Sequence, residues 1–325
     1  MAGTPSPYPK SAAARDLWIR QRRRGIPRDD LSPWHAGGWL VETESTLAGV
    51  EEPGLTVFLT NRECPWRCLM CDLWRHTLEE SVPPGAIPAQ LEEVLARAGH
   101  DPSRRWIKLY NAGSFFDAAA IPTIDHAAIA RLCAPFRRVI VECHPALVGQ
   151  RVAVFQSLLQ PGTQLEVALG LETAHPGVLE RLNKQVTREG FSKAVRYLKE
   201  QNCAVRAFVL VKPPFLDEAG ALEWGCRSVE FAFDCGVDIV SLIPTRAGNG
   251  ALEALAARGE FSPPTVATFE AVFAYGLQLR RGRVFADLWD LEKLVADPER
   301  LAAVRGRLEM MNRWTHRRSE MEDRR

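Results

Sequence analysis

"LTVFLTNRECPWRCLMCDLW", residues 55–74, joins two patterns. Its first part is a short apolar, β-branched run of the kind that forms a buried strand. Its second part carries Cys64, Cys68 and Cys71, three of the chain's eight cysteines, in the spacing C-x3-C-x2-C. Thiols in a loop at a strand end raise two questions: what the chain builds around that strand, and what three sulfurs hold where metal patterns usually show four.

Strand-like runs recur at 105–114 ("RWIKLYNAGS"), 137–145 ("RRVIVECHP"), 164–173 ("QLEVALGLET"), 204–214 ("AVRAFVLVKPP") and 237–245 ("VDIVSLIPT"). Between them, residues 87–99, 124–136, 146–159, 188–201 and 217–236 space their apolar side chains as helices do. Alternating strands and helices imply right-handed βαβ units and one parallel sheet covered on both faces. Six such units predict an α/β fold, a partial (β/α)6 barrel over residues 51–285. Flanking it are an N-terminal basic and aromatic extension, 1–50, and a C-terminal helical extension, 286–325. Within the latter, Leu301, Val304, Leu308 and Met311 have helical spacing between Pro298 and Asn312. "RVFADLWDLEKL", 283–294, reads as a last strand and turn that brings Asp287 and Asp290 near the open end. In such folds functional residues gather where strands end and loops begin.

The composition is that of a globular enzyme with a sizeable core: 325 residues, 46% hydrophobic and 25% charged. A net charge of +1 gives no global pull toward nucleic acid or membrane. Locally, "RDLWIRQRRRGIPR" (15–28) sets six arginines against one aspartate around Trp18. It reads either as a contact for phosphates and bases or as a solvated arm. No apolar run of about 18 residues suggests a membrane span, and the first residues lack the apolar stretch of a secretory signal. A cytoplasmic protein is expected. In a reducing compartment a tight cysteine cluster points to a metal or to catalysis before a disulfide.

Structural zinc takes four ligands, and His76 could add a fourth to the three thiols in a zinc-stabilised nucleic-acid-binding protein without catalysis. Such a knuckle is normally a module of its own, whereas these cysteines follow a barrel strand. Iron–sulfur cubanes are also held by thiolates. Three of them leave one iron open to a small molecule, just as catalytic zinc keeps an open position.

A strand followed by CxxxCxxC at the head of a six-fold βα array resembles the radical S-adenosylmethionine (SAM) superfamily. The resemblance implies a 4Fe-4S cluster on Cys64, Cys68 and Cys71 whose open iron chelates the methionine end of SAM. Reductive cleavage then gives a 5′-deoxyadenosyl radical that abstracts a hydrogen atom from substrate, with an external one-electron donor such as flavodoxin or ferredoxin. Met70 stands where the superfamily often has an aromatic residue; a thioether fills the same apolar space.

Other strand ends supply candidates for SAM. "YNAGSFFD" replaces the superfamily's Gly-Gly-Glu and offers Asn111, Gly113 and Ser114. "VECHP" ends a strand on Glu142, an acid that needs a partner if buried. Glu172 and Lys184 in "GLETAHPGVLERLNKQ" resemble the branch holding oxygen-independent coproporphyrinogen oxidase (coproporphyrinogen dehydrogenase), the elongator catalytic subunit and the archaeosine synthase radical subunit. There, matching residues contact the ribose and carboxylate of SAM. Lys212 in "VLVKPPF" is expected inside the open end, and Arg246 begins a glycine-rich run to Gly250 suited to an adenine or phosphate edge. The branch makes a modified tRNA base one substrate class; a small molecule or peptide is the other. The remaining cysteines, Cys133, Cys143, Cys203, Cys226 and Cys235, lack ligand spacing and read as small buried residues.

Overall fold

The computed structural model describes residues 7–46 and 49–313. Residues 1–6, 47–48 and 314–325, parts of the extensions expected at 1–50 and 286–325, lie outside the described residues. Eight strands form one sheet in chain order: β1 (Gly38–Ser45), β2 (Glu51–Phe58), β3 (Trp106–Tyr110), β4 (Arg138–Cys143), β5 (Gln164–Glu172), β6 (Ala204–Val211), β7 (Ile239–Pro244) and β8 (Arg283–Ala286). From β2 onward every pair is parallel, and β1 runs antiparallel to β2 with Gly38 opposite Phe58 and Ser45 opposite Glu51. Strands β2 to β7 are the six units expected, and β8 is the last strand foreseen at 283.

The helices are α1 (Ala12–Arg23), α2 (Ala86–Ala98), α3 (His126–Leu132), α4 (Gln150–Leu158), α5 (Pro176–Arg181), α6 (Arg188–Glu200), α7 (Glu218–Asp234), α8 (Ala251–Ala256), α9 (Val266–Gln278) and α10 (Pro298–Asn312). Several start where a side chain accepts a free amide: Thr187 from Gly190, Asp217 from Gly220 and Asp297 from Arg300. Alternate strand residues such as Leu55, Val57, Ile107, Val139, Val205 and Val240 pack against the helices in one core.

Helices cover only that outer face. The inner face is enclosed by the curl of the sheet, and its charges show how far it curls. Arg206 on β6 donates to Glu44 on β1 (2.8 Å), and Lys108 on β3 pairs with the same carboxylate (2.6 Å). Because β1 and β6 are far apart in strand order, that contact exists only if the sheet bends into a half-barrel. Arg206 also donates to Glu166 on β5 (2.7 Å), which has no exposure. Burial works against every charge in this group, but each has a partner. Arg206 and Lys108 hold the Glu44 carboxyl below the usual carboxylate range, and Glu166 and Glu44 hold Arg206 above its ordinary value. Above this charged floor lies an aromatic layer, in which Tyr110 meets Phe208 edge-on at 6.3 Å.

The free edge of β8 is covered by the end of α10. Asn312 accepts from Ala286 N–H (2.8 Å) and donates to Ala286 O (3.0 Å), so a side-chain amide imitates a neighbouring strand.

His126 opens α3 in an aromatic box, stacked on Phe115 (5.4 Å between centroids, 16° between planes) and edge-on to Phe155. It is 3% exposed, its Nε2 is buried without a partner, and burial, with Arg151 adding to it, lowers its pKa to about 4. An unfolded histidine titrates near 6.5. Between about 6.5 and 4 the unfolded chain therefore takes up a proton that the folded chain refuses, and stability falls as pH falls through that window. His126→Phe should stabilise the fold by about 1 kcal/mol at pH 7 by removing the orphaned nitrogen. In urea unfolding its advantage over the native chain should widen as pH drops from 6.5 to 4.5, and an unchanging gap would show that His126 does not titrate as described.

Candidate functional site

After β2 the chain leaves the sheet and runs through the cysteine loop to a short 3-10 turn at Leu73–His76. Irregular backbone has no ladder to satisfy its carbonyls, so their partners must come from elsewhere. Arg67 donates to Cys64 O (2.8 Å), Asn183 to Arg67 O (2.8 Å), Arg23 to Cys68 O (3.3 Å), Asn249 to Leu69 O (2.7 Å) and Arg28 to Trp74 O (2.9 Å). Leu69 N–H donates in turn to Leu182 O (2.9 Å). Cys68 is buried, and Cys64 and Cys71 are half-buried. Burial raises all three thiols, Cys71 to about 12, while Lys184 acts on Cys68, and Arg23 on Cys71, to favour the thiolate. A ligated metal would replace those protons. His76 Nδ1 bonds Asp29 (2.5 Å), which leaves Nε2 available as a metal-ligating histidine would have it, and among the described residues no three His, Cys, Asp or Glu side chains close around a single ion.

The end of β3 faces this loop. A Cβ built on Gly113 would lie 3.4 Å from Cys64 Cβ, so backbone and thiol loop nearly touch. Asn111 is fully buried, and neither its side-chain oxygen nor its nitrogen has a partner, an arrangement that suits a ligand carrying both donors and acceptors. Ser114 is used otherwise: its hydroxyl contacts Cys143 Sγ (3.5 Å) and accepts from His144 N–H (3.0 Å). Glu142 accepts from Asn111 N–H (3.1 Å), and burial raises its pKa to about 7 despite that bond, a second one to Ala112 and the Lys184 charge.

Lys184 and Glu172 form a buried ion pair beside the thiols. Burial opposes the Lys184 charge, but Glu172, Cys68 and Cys64 outweigh it and raise its pKa. Gly170 makes the room: a Cβ there would sit 1.8 Å from Lys184 Nζ and 2.2 Å from Glu172 Oε1. Ala112 (φ 48°), Glu172 (φ 65°) and Lys212 (φ 54°) all adopt the left-handed region at the ends of β3, β5 and β6, where strain concentrates at functional sites.

Lys212 and Arg246 stand apart from this group. The Lys212 ammonium bonds Ser262 (2.6 Å), Pro263 O (3.2 Å) and Glu218 (2.7 Å), tying the loop before α9 to α7 instead of pointing into the open end. Arg246 pairs with Asp287 (3.2 Å) after β8 and donates to Trp289 O, while Asp290 turns to Lys293 (2.7 Å). The glycine-rich run folds onto the cysteine loop: Asn249 holds Leu69 O and also accepts from Ala251 N–H and Leu252 N–H at the start of α8.

Sequence reasoning missed Arg23, Asn183, Asn249 and His144. Trp66 stacks on His144 at 3.5 Å and 8°. His144 Nδ1 accepts from Ala146 N–H, so its proton sits on Nε2 and is donated to Lys184 O. Burial lowers its pKa to about 3 and keeps it neutral. The signal for Asn183, Asn249 and His144 was position, in loops at strand or helix ends, and for Arg23, the last residue of α1, its place in the basic run.

The arginine-rich run from 15 to 28 is largely a docked helix. Arg15 and Arg23 are buried and engage Glu180 and Glu63, and Trp18 and Ile19 of α1 pack with Leu69, Leu252 and Phe261. Gly250 (φ 78°) admits it, since a Cβ there would lie 2.3 Å from Arg22 O. Arg20 and Arg24 remain exposed.

No family model matches the sequence. The archaeosine synthase subunit beta of Methanosarcina acetivorans is 30% identical over 259 residues, 76% of this chain and 72% of that protein. The same-named subunit of Thermococcus kodakarensis is 25% identical over 232 residues, 68% of this chain and 71% of its own length. Among solved structures, Methanocaldococcus infernus Elp3 with an N-terminal deletion superposes with a TM-score of 0.50 at 18% identity, covering 70% of this chain. This chain spans 59% of that one. A curled parallel half-barrel with a three-cysteine loop after its first parallel strand defines the class of radical SAM enzymes. The chain belongs to that superfamily, in the branch of archaeosine synthase subunit beta. Among the described residues no helix is long and apolar enough to cross a membrane.

Gly170→Ala tests the geometry without any cofactor. The new methyl must displace the Lys184 ammonium, at a stability loss of about 1–3 kcal/mol. Lys184 should then become measurably more reactive to acetic anhydride in peptide mapping, whereas in the native chain it should be among the slowest lysines.

Proposed function

We propose that this protein is a radical SAM enzyme with residues 51–285 as its catalytic barrel, 1–50 and 286–325 as extensions, and a 4Fe-4S cluster on Cys64, Cys68 and Cys71. The observation that carries the reading is the Asn111 side chain, fully buried with both polar atoms unpartnered beside Gly113 and Cys64. It fits a ligand that presents amino and carboxylate groups next to the thiols. Around it, Gly113 gives close backbone approach, Glu142 offers a buried carboxyl for the ligand's cationic or hydroxyl groups, Glu172 is suited to a ribose hydroxyl, and Lys184 to a carboxylate.

When bound, the cluster and SAM supply a one-electron cleavage whose radical product abstracts a hydrogen atom, the electron coming from a donor such as a flavodoxin or ferredoxin. The chain's own residues orient and shield. The Lys184–Glu172 pair keeps a cation against the thiols, and neutral His144, stacked under Trp66, fixes the Lys184 backbone. After anaerobic reconstitution the protein should hold about four irons per chain and form 5′-deoxyadenosine only with reductant. Cys68→Ala should abolish both. Full iron in that variant, or zinc without iron in the native protein, would overturn the reading.

For the substrate we infer a modified tRNA base, on the likeness to archaeosine synthase subunit beta and the exposed arginines of the N-terminal segment. Deleting residues 1–28 would remove a helix packed against the cysteine loop, so the cleaner test replaces surface side chains alone. Arg20→Gln with Arg24→Gln should weaken tRNA binding and flatten the slope of log K against log salt by about 1–2. Unchanged binding would point to a small molecule or peptide.

A further inference from the structure

Arg23, the last residue of α1, lies outside the barrel and in the sequence belongs to a basic run. Its guanidinium is 8% exposed, yet it does not serve the helix it belongs to. Nη2 donates to Cys68 O (3.3 Å) and Cys71 O (3.5 Å), and Nη1 donates to Glu63 (3.2 Å), the residue before Cys64. Its Cζ lies over the Trp74 ring, 5.2 Å from the centroid. Nε is buried without a partner, so the side chain is held here at a desolvation cost that ordinary helix packing would not require. One cation thus spans the cysteine loop from behind, in contact with the residues of all three thiols or their immediate neighbour.

We propose that Arg23 is a positioning residue for the cluster site that also sets its electron affinity. The inference rests on the 4Fe-4S reading given above. Adding one electron to a thiolate-held cluster raises its negative charge and breaks no bond. A buried cation near the sulfurs stabilises the reduced form more than the oxidised form, and the low dielectric of the site magnifies the difference. Glu63 works in the opposite direction: its carboxylate offsets Arg23 (3.2 Å) and is shared with Arg28 (2.5 Å) and Arg67 (3.3 Å).

The test is a mediated redox titration of the reconstituted protein followed by electron paramagnetic resonance, with iron content measured on each sample. Arg23→Gln keeps a donor but loses the charge. At a fixed poise its reduced-to-oxidised ratio should fall about tenfold, equivalent to about 59 mV for one electron. Arg23→Lys keeps the charge and should remain within about threefold of the native ratio, on the same scale. Glu63→Gln should shift the ratio upward. This opposite sign is the decisive readout when iron content and resonance line shape stay native, because opening the loop to water also raises the potential. If Arg23→Gln does not assemble a cluster, the Lys and Glu63 variants still decide the matter. A native-like ratio in Arg23→Gln or in Glu63→Gln, or a tenfold fall in Arg23→Lys, would overturn the proposal. Absence of iron in the native protein would instead overturn the cluster reading on which it rests.

Discussion

The rest of the site depends on one constraint: the cysteine loop is irregular backbone in a largely buried place, so its carbonyls need donors that the sheet cannot supply. Arg23, Asn183 and Asn249 supply them from three other segments, and Arg67 from within the loop. That requirement explains why α1 folds back over residues far along the chain and why Gly250 has no side chain to obstruct it. It also explains the loop after β7, whose asparagine is directed to the cysteine loop and to α8. Such a loop is a joint product of its neighbours, and few of its contacts are local in sequence.

A second constraint closes the lower end. A half-barrel has no ladder between its first and last strands, and here charge takes the place of hydrogen bonding across the gap. Lys108 and Arg206 bridge β3 and β6 to the carboxylates of β1, with Glu166 completing the group. Each buried member has two partners, Lys108 with Glu42 and Glu44, Arg206 with Glu44 and Glu166, and Glu166 also with Arg138, so removing one leaves every other buried charge with a counterion. The aromatic layer above separates this floor from the thiol loop and the Lys184–Glu172 pair.

Much of the architecture was legible in the sequence. Runs of β-branched residues ending in turn residues marked β2 to β7, and the helical spacing from Pro298 to Asn312 coincides with α10. β1 was not, because Glu42 and Glu44 spoil the alternation expected of a half-buried strand. They face a lumen whose countercharges, Lys108 and Arg206, lie far along the chain. At the open end, Asn111, Gly113, Glu142, Glu172 and Lys184 converge with the cysteines as their strand-end positions suggested. Lys212 and Arg246 occupy comparable positions, but strand-end placement does not fix where a long side chain turns, and nearby acids, Glu218 and Asp287, claimed them. Arg23 and Asn249 were invisible in their roles because a carbonyl partner leaves no trace in the spacing of side chains.

The charged floor has a consequence for traffic. Among the described residues, Glu166 and Arg206 are buried against one another and Tyr110 meets Phe208 above them, so the floor end of the lumen is closed. A molecule seated at the cysteine end does not pass through that floor. Along its axis the half-barrel is therefore a cup, not a conduit.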